Sequence, residues 1–455
     1  MPENTLQTTR PLFTRSELLR LIIPLVIEQL LLMTVGMADT VMVTTSGEAA
    51  VSGVSLVDNI NTLIIQIFSA LSTGGAVVVS QYLGRREPHN ARTAAKQLLY
   101  AMMAVSLFLM AVALVFRQHI LSLIFGRVEP DVMDSALIYF LLTAAAYPFM
   151  GIYNAGAALF RAMGNSKVSM LCSLIINIIN IAVNAILIYG YDMGAAGAGI
   201  GTLVSRIAAA AIIMVMLNRP SHVVRVEGLL RFQFRWNMVK RILFIGIPNG
   251  LENGMFQAGK LLVLNLVTTF GTSAVAANAI ANSVAGVVNV PSTALGLAII
   301  TVVGRCMGAG EVDQAQKYTK QLLTGSYLCM FAMSAVQFFG AGYLTTLFNL
   351  TPQAMELATQ VLQICAVANV IFWPMSFTLP NSLRAAGDAM FTMVVSLCSM
   401  FACRVALSYV LARSWGLGLG LVGVWLAMFA DWVVRAVLFL IRYRKGKWKQ
   451  LHVID

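Results

Sequence analysis

Residues 21–43 read LIIPLVIEQLLLMTVGMADTVMV. The stretch is long and apolar enough to cross a bilayer, for which about 20 residues suffice, yet it carries Glu28 and Asp39. In a helix the two carboxylates fall within about 20° of one face, roughly 16 Å apart along the axis. A charged side chain at the bilayer centre costs about 2.5 kcal/mol or more. That face must therefore look into protein or water, and its acids are candidate pathway residues.

The rest of the 455-residue chain fits this opening. It is 58% hydrophobic and 11% charged, with a mean hydropathy of +0.79, whereas soluble domains carry about 25% charged residues. The composition specifies an all-α, multi-pass membrane protein. Apolar runs predict twelve spans, at 17–44, 54–83, 94–116, 134–160, 168–190, 194–217, 239–270, 274–304, 322–348, 356–382, 389–412 and 418–441. No apolar leader precedes the first run, so no cleavable signal peptide is expected. The implied organisation is a tail at 1–16, a lobe at 17–217, a linker at 218–238, a second lobe at 239–441 and a basic tail at 442–455.

The formal net charge of +12 records topology, not affinity for nucleic acid. With the N-terminus inside, 24 Lys and Arg fall in inner segments and three, Arg117, Arg127 and Arg413, in outer loops. The positive-inside rule then puts both termini in the cytoplasm, in a plasma (inner) membrane. Six cysteines show neither CxxC spacing nor His partners, so the expectation is no metal site and no disulfide framework.

The chain is also written twice. PLVIE at 24–28 returns as PNGLE at 248–252, KQLL at 96–99 returns at 320–323, and RAMGN at 161–165 is echoed by RAAGD at 384–388. The order is kept at nearly one offset. Each copy holds six spans, an even number, so the copies enter from the same side. They are then related by a pseudo-two-fold axis along the membrane normal, as in transporters that rock about a central cleft.

Several segments carry a more specific likeness. GMADTVMV (36–43), GGAVVVSQYLGRRE (74–87), FRAMGNSK (160–167), NIINIAVNAILIYG (177–190) and GAAGAGIGTLVSR (194–206) resemble successive segments of the multidrug and toxic compound extrusion (MATE) family. The resemblance covers essentially the whole chain. It implies an antiporter, not an enzyme, that expels organic and mostly cationic compounds in exchange for inward Na⁺ or H⁺, with no other cofactor. The expected partners are lipid and small organic cations, and the expected state is a monomer.

Asn177, Asn180 and Asn184 form one helical stripe at i, i+3 and i+7. Amides in an apolar helix need partners, and interhelical hydrogen bonding is one reading of all three. The resemblance implies a second reading for Asn180 and Asn184, which with Asp39 and Thr202 occupy the family's N-lobe cation site. One carboxylate among neutral oxygens suits a monovalent cation, and burial also lets it take a proton by disfavouring the charged form. Many relatives have an aspartate where this chain has Asn184, which leaves Na⁺ and H⁺ both open.

Glu28 and Glu252 each follow a proline by four residues. Either each carboxyl bonds near a proline kink, or Glu252 lends negative charge to the cleft, as a C-lobe acid does in some relatives. Lys260 is expected either to be buried and paired, with Glu252, Asp39 or Asp431 as partner, or to contact substrate. With Glu28, Asn177 and Glu252 it is a candidate for the ion or substrate cleft, and Asp431 and Arg435 stand at i, i+4. Rival functions are a lipid-linked precursor flippase of the same superfamily, a major-facilitator porter, and a non-transporting sensor on a transporter fold. Fusions to a phosphatase active only outside the cytoplasm test the topology. They should be active after Arg413 and inactive after Arg231, and the reverse pattern would overturn the orientation.

Overall fold

The computed structural model describes residues 11–455 apart from 127, 128, 227, 229, 230, 347, 349, 415, 452 and 455. Most of the expected N-terminal tail, with Arg10, and Arg127 of an outer loop lie outside the described residues. The N-terminal half contains α1 (Arg15–Val43), α2 (Glu48–Gly84), α3 (Pro88–Phe125), α4 (Pro130–Ala145), α5 (Tyr147–Ala162), α6 (Ser166–Asn184) and α7 (Gly194–Leu217). The C-terminal half contains α8 (Trp236–Thr268), α9 (Thr272–Val288), α10 (Val290–Gly308), α11 (Val312–Thr346), α12 (Pro352–Trp373), α13 (Pro380–Ala385), α14 (Ala389–Ser399), α15 (Ser408–Ala412) and α16 (Gly420–Arg444). Widened π turns follow α6 at Ala185–Gly190, join α12 to α13 at Pro374–Thr378, and join α14 to α15 at Met400–Leu407.

All twelve expected spans are helical. Ten contain a helix long and apolar enough to cross a membrane, although the span expected at 274–304 is split into α9 and α10 and only α10 meets that test, and α4 with α5, bent by 47°, makes an eleventh. The twelfth, α8, is long enough at 33 residues but not apolar enough. Asn249, Glu252, Asn253, Gln257 and Lys260 recur along it every three or four residues, giving it a polar stripe that faces a cleft instead of lipid.

The two halves meet at the end bearing both termini and part at the other. Glycine makes the closed end possible. A Cβ at Gly74 would overlap the Ile242 carbonyl oxygen, one at Gly84 the Arg305 carbonyl oxygen, and one at Gly308 the Gln81 carbonyl oxygen. Backbone thus touches backbone where α2 crosses α8 and α10. Polar bonds across the join follow the internal repeat. Gln81 Nε2 donates to the Ala385 carbonyl at 2.8 Å, and Arg305 Nη2 donates to the Ala162 carbonyl at 2.9 Å. The Phe13 amide donates to the Tyr318 hydroxyl, which in turn donates to the Phe13 carbonyl.

α1 belongs to both halves. Leu18, Leu21 and Leu25 pack among Ala294, Leu295 and Ala298 of α10, whereas the later turns lie along α6. Between them stands Pro24, which cannot donate to the Arg20 carbonyl. Ser166 Oγ fills that gap, 2.5 Å from the Leu21 carbonyl oxygen and 3.5 Å from that of Arg20.

The expected basic tail at 442–455 is not a free tail. α16 runs on to Arg444, Trp448 is fully buried and stacks on Tyr443, and Val453 and Ile454 join the N-terminal core. Arg85 Nη1 donates to the Ile454 carbonyl at 2.9 Å.

The glycine contacts carry a prediction. Gly84→Val and Gly308→Val should each lose about 1–3 kcal/mol through overpacking, read as a lower melting temperature in detergent. Gly36→Val, with nothing near its Cβ position, should leave the melting temperature unchanged.

Candidate functional site

Glu28 and Asp39 face α6, as their spacing on one helix side requires, and both are buried. They meet different partners there. Glu28 Oε1 is 3.0 Å from Arg161 Nη1 at the end of α5, and Glu28 Oε2 accepts from Ser169 Oγ at 2.7 Å. The repeat reproduces the arrangement: Glu252 Oε2 is 2.7 Å from Arg384 Nη2, and its Oε1 accepts from Ser396 Oγ at 2.6 Å. The expectation that each carboxyl bonds near its proline kink is corrected for Glu28, because Ser166 serves the kink and the acid answers an arginine. Glu252 lines the cleft but is held by Arg384, so it adds no free negative charge there.

Asp39 has no arginine within 4 Å among the described residues. Its Oδ1 accepts from Asn184 Nδ2 at 2.5 Å, and the same amide reaches Asn180 Oδ1 at 3.4 Å. Asn184 Oδ1 points to the space left by the missing Cβ of Gly201, which any larger residue would fill. Among the described residues, Asn184 Oδ1, Asn180 Nδ2 and Thr202 Oγ1 are buried without a hydrogen-bond partner. The structure therefore gathers Asp39, Asn180, Asn184 and Thr202 into one region with two underused oxygens. Such oxygens fit a small hard cation or a proton on the carboxylate.

Asn177 stands apart from them. Its Nδ2 donates to the carbonyls of Leu31 at 3.0 Å and Ser173 at 2.9 Å, and its Oδ1 accepts from Thr34 Oγ1 at 3.2 Å. Those bonds make it an interhelical tie between α1 and α6. The π turn begins directly after Asn184, and widened turns often mark functional positions.

The sequence reading missed two residues around Asp39. Asp58 on α2 lies within electrostatic reach of it, as does Arg206 on α7. Asp58 Oδ1 accepts from the Tyr139 hydroxyl at 3.0 Å and from Asn61 Nδ2 at 3.4 Å. Asp39 is thus not a lone anion. The signal was an acid inside the second apolar run and an arginine four residues after Thr202, but no motif joined them.

In the other half, the polar stripe of α8 faces a cleft of about 530 Å³. Trp373, Trp425 and Trp432 line it together with Glu252, Lys260, Arg384, Arg404 and Arg435. Asp431 and Arg435 pair as expected, at 2.9 Å. Lys260 does not behave as expected. It is exposed to the cleft and has no carboxylate within 4 Å among the described residues; its ammonium lies 5.3 Å from the Phe256 ring centroid. The expected carboxylate partner is thus absent among the described residues, and the ammonium keeps its charge uncompensated at the cleft.

Comparison with known proteins closes the description. The MatE family pattern matches residues 24–186 and 248–410, two copies offset as the internal repeat requires and each opening on its proline. The chain is 26% identical over 446 residues to the probable multidrug resistance protein NorM of Thermotoga maritima, covering 97% of this chain and 94% of that one. It is 24% identical to the multidrug export protein MepA of Staphylococcus aureus over 74% of both chains. A solved structure described as the outward-facing conformation of a multidrug resistance MATE family transporter superposes with a TM-score of 0.89 at 20% identity, over 95% of this chain and 96% of that one. The chain belongs to the MATE family of multidrug efflux transporters.

Proposed function

We propose that the chain is a cation-coupled antiporter that expels organic compounds by alternating access, with Na⁺ or H⁺ seated at Asp39. The observation that carries this reading is the carboxylate of α1 held by amides of α6, with no arginine within 4 Å among the described residues, beside oxygens that have no partner of their own. A carboxylate bound to an arginine would be spent; this one can still accept a cation. Asn184 offers its nitrogen to Asp39 in this arrangement, and turning the amide over would offer its oxygen to an ion. Asp58 adds a second negative charge nearby and raises the pull on any cation.

α1 supplies the link to the conformational change. Its last turns carry Asp39, its first turns seal the closed end against α10, and Pro24 interrupts its hydrogen bonding between the two. Binding an ion at one end can bias contacts at the other only if the ion prefers one arrangement; equal affinity for both would shift nothing. With the closed end facing the cytoplasm, the described arrangement is the outward-open one. Both walls of the cleft come from one polypeptide, which suits work as a monomer in the cell membrane.

Replacing Asp39 by Asn should abolish ion-driven uptake into proteoliposomes while leaving the melting temperature near that of the unaltered protein. Full transport by Asp39→Asn at equal reconstitution would remove the assignment. Replacing external Na⁺ and collapsing the pH gradient in separate runs identifies the ion. Asp58→Asn should raise the concentration of that ion needed for half-maximal uptake, roughly severalfold, and an unchanged requirement would exclude Asp58 from coupling.

A further inference from the structure

The C-terminal cleft has the wrong polarity for an organic cation. Four of the five charged side chains lining it are basic, and Glu252 is already engaged by Arg384. Asp431, behind the wall, gives its Oδ1 to Arg435 and Ser399, while its Oδ2 has no hydrogen-bond partner among the described residues and lies within electrostatic reach of Arg404. Lys260 and Arg404 remain without a carboxylate within 4 Å among the described residues. Arg404 is buried, its guanidinium 4.7 Å from the Phe256 centroid. Its Nη2 reaches only the Met428 sulfur at 2.7 Å, and its Nη1 has no partner. The same ring already has Lys260 at 5.3 Å and Arg435 at 5.5 Å. One aromatic face, one thioether and the single carboxylate of Asp431, already paired with Arg435, are weak compensation for three cations.

A second hollow of about 550 Å³ continues from the first and shares Lys260, Arg404, Trp425 and Met428 with it. Its remaining wall is mostly apolar, with Ile60, Leu63 and Phe125 from one half facing Leu261 and Leu264 from the other. The joined space therefore has a cationic floor, aromatic sides and a greasy mouth, and each part is of a size for a small organic ligand.

We propose that this cleft binds an amphipathic organic anion, its acidic group between Lys260 and Arg404 and its aromatic or aliphatic body between the two halves. The assignment rests on the transport reading above and supplies its cargo class. It replaces the expectation of organic cations.

Calorimetric titration of the purified protein with 6-carboxyfluorescein and with ethidium tests the cleft without requiring transport. The anion should bind about tenfold or more tightly than the cation, and Lys260→Glu, at an exposed position, should reverse that order. Tighter binding of ethidium by the unaltered protein, or unchanged affinities in Lys260→Glu, would overturn the proposal. In proteoliposomes, gradient-driven carboxyfluorescein uptake should vanish in Asp39→Asn while binding persists. Binding without uptake by the unaltered protein would leave the anion site standing and remove the antiport reading alone. If fluorescent phosphatidylglycerol displaces the dye and is flipped while the dye is not taken up, the cargo is an anionic lipid and the soluble-anion assignment falls.

Discussion

A charge carried into the hydrocarbon layer must find its counterpart in protein, and this requirement shapes both halves of the molecule. Glu28 is met by Arg161 and Ser169, which draws together the first, fourth and fifth spans. Glu252, Arg384 and Ser396 do the same a repeat later. Breaking such a pair leaves an uncompensated buried charge, at about 3–5 kcal/mol. The paired acids act as rivets. The groups left outside such close pairs among the described residues, Asp39 in one half and Lys260 and Arg404 in the other, are the ones free to recognise something else.

Duplication has therefore produced two halves with a shared frame and different chemistry. The N-terminal half keeps a carboxylate among neutral oxygens. The C-terminal half keeps cations and aromatic rings. Each specialised position sits beside a local departure from regular helix: a π turn starts after Asn184, another carries Arg404, and a third carries Phe377 of the cleft wall. α1 threads between the halves, carrying the anion near one end and packing against α10 at the closed end.

Much of this was legible in the residues, for physical reasons that differ by feature. The spans and the repeat could be read because hydropathy and motif order are local in the chain. The Asp39–Asn184 contact could be read because stripe and motif agreed. Asp58 could not, since its partner Tyr139 lies 81 residues away and a lone acid at a span's start is ambiguous. Lys260 reads as needing a carboxylate partner because a charge inside an apolar run calls for one, whereas none lies within 4 Å of it among the described residues. The tail at 442–455 reads as basic by composition, and its burial of Trp448 and Ile454 could not be read because their pockets come from remote segments.

The unpaired cations of the cleft also bear on how the cell would power the cycle. An entering Na⁺ or H⁺ exchanged for a departing organic cation moves little net charge. The same ion exchanged for a departing anion carries current twice in one direction. An interior-negative membrane potential then performs work on both legs, about 2.3 kcal/mol per elementary charge for each 100 mV. A cleft of this polarity would make the transporter electrogenic, and its capacity to concentrate cargo would follow voltage as closely as any ion gradient.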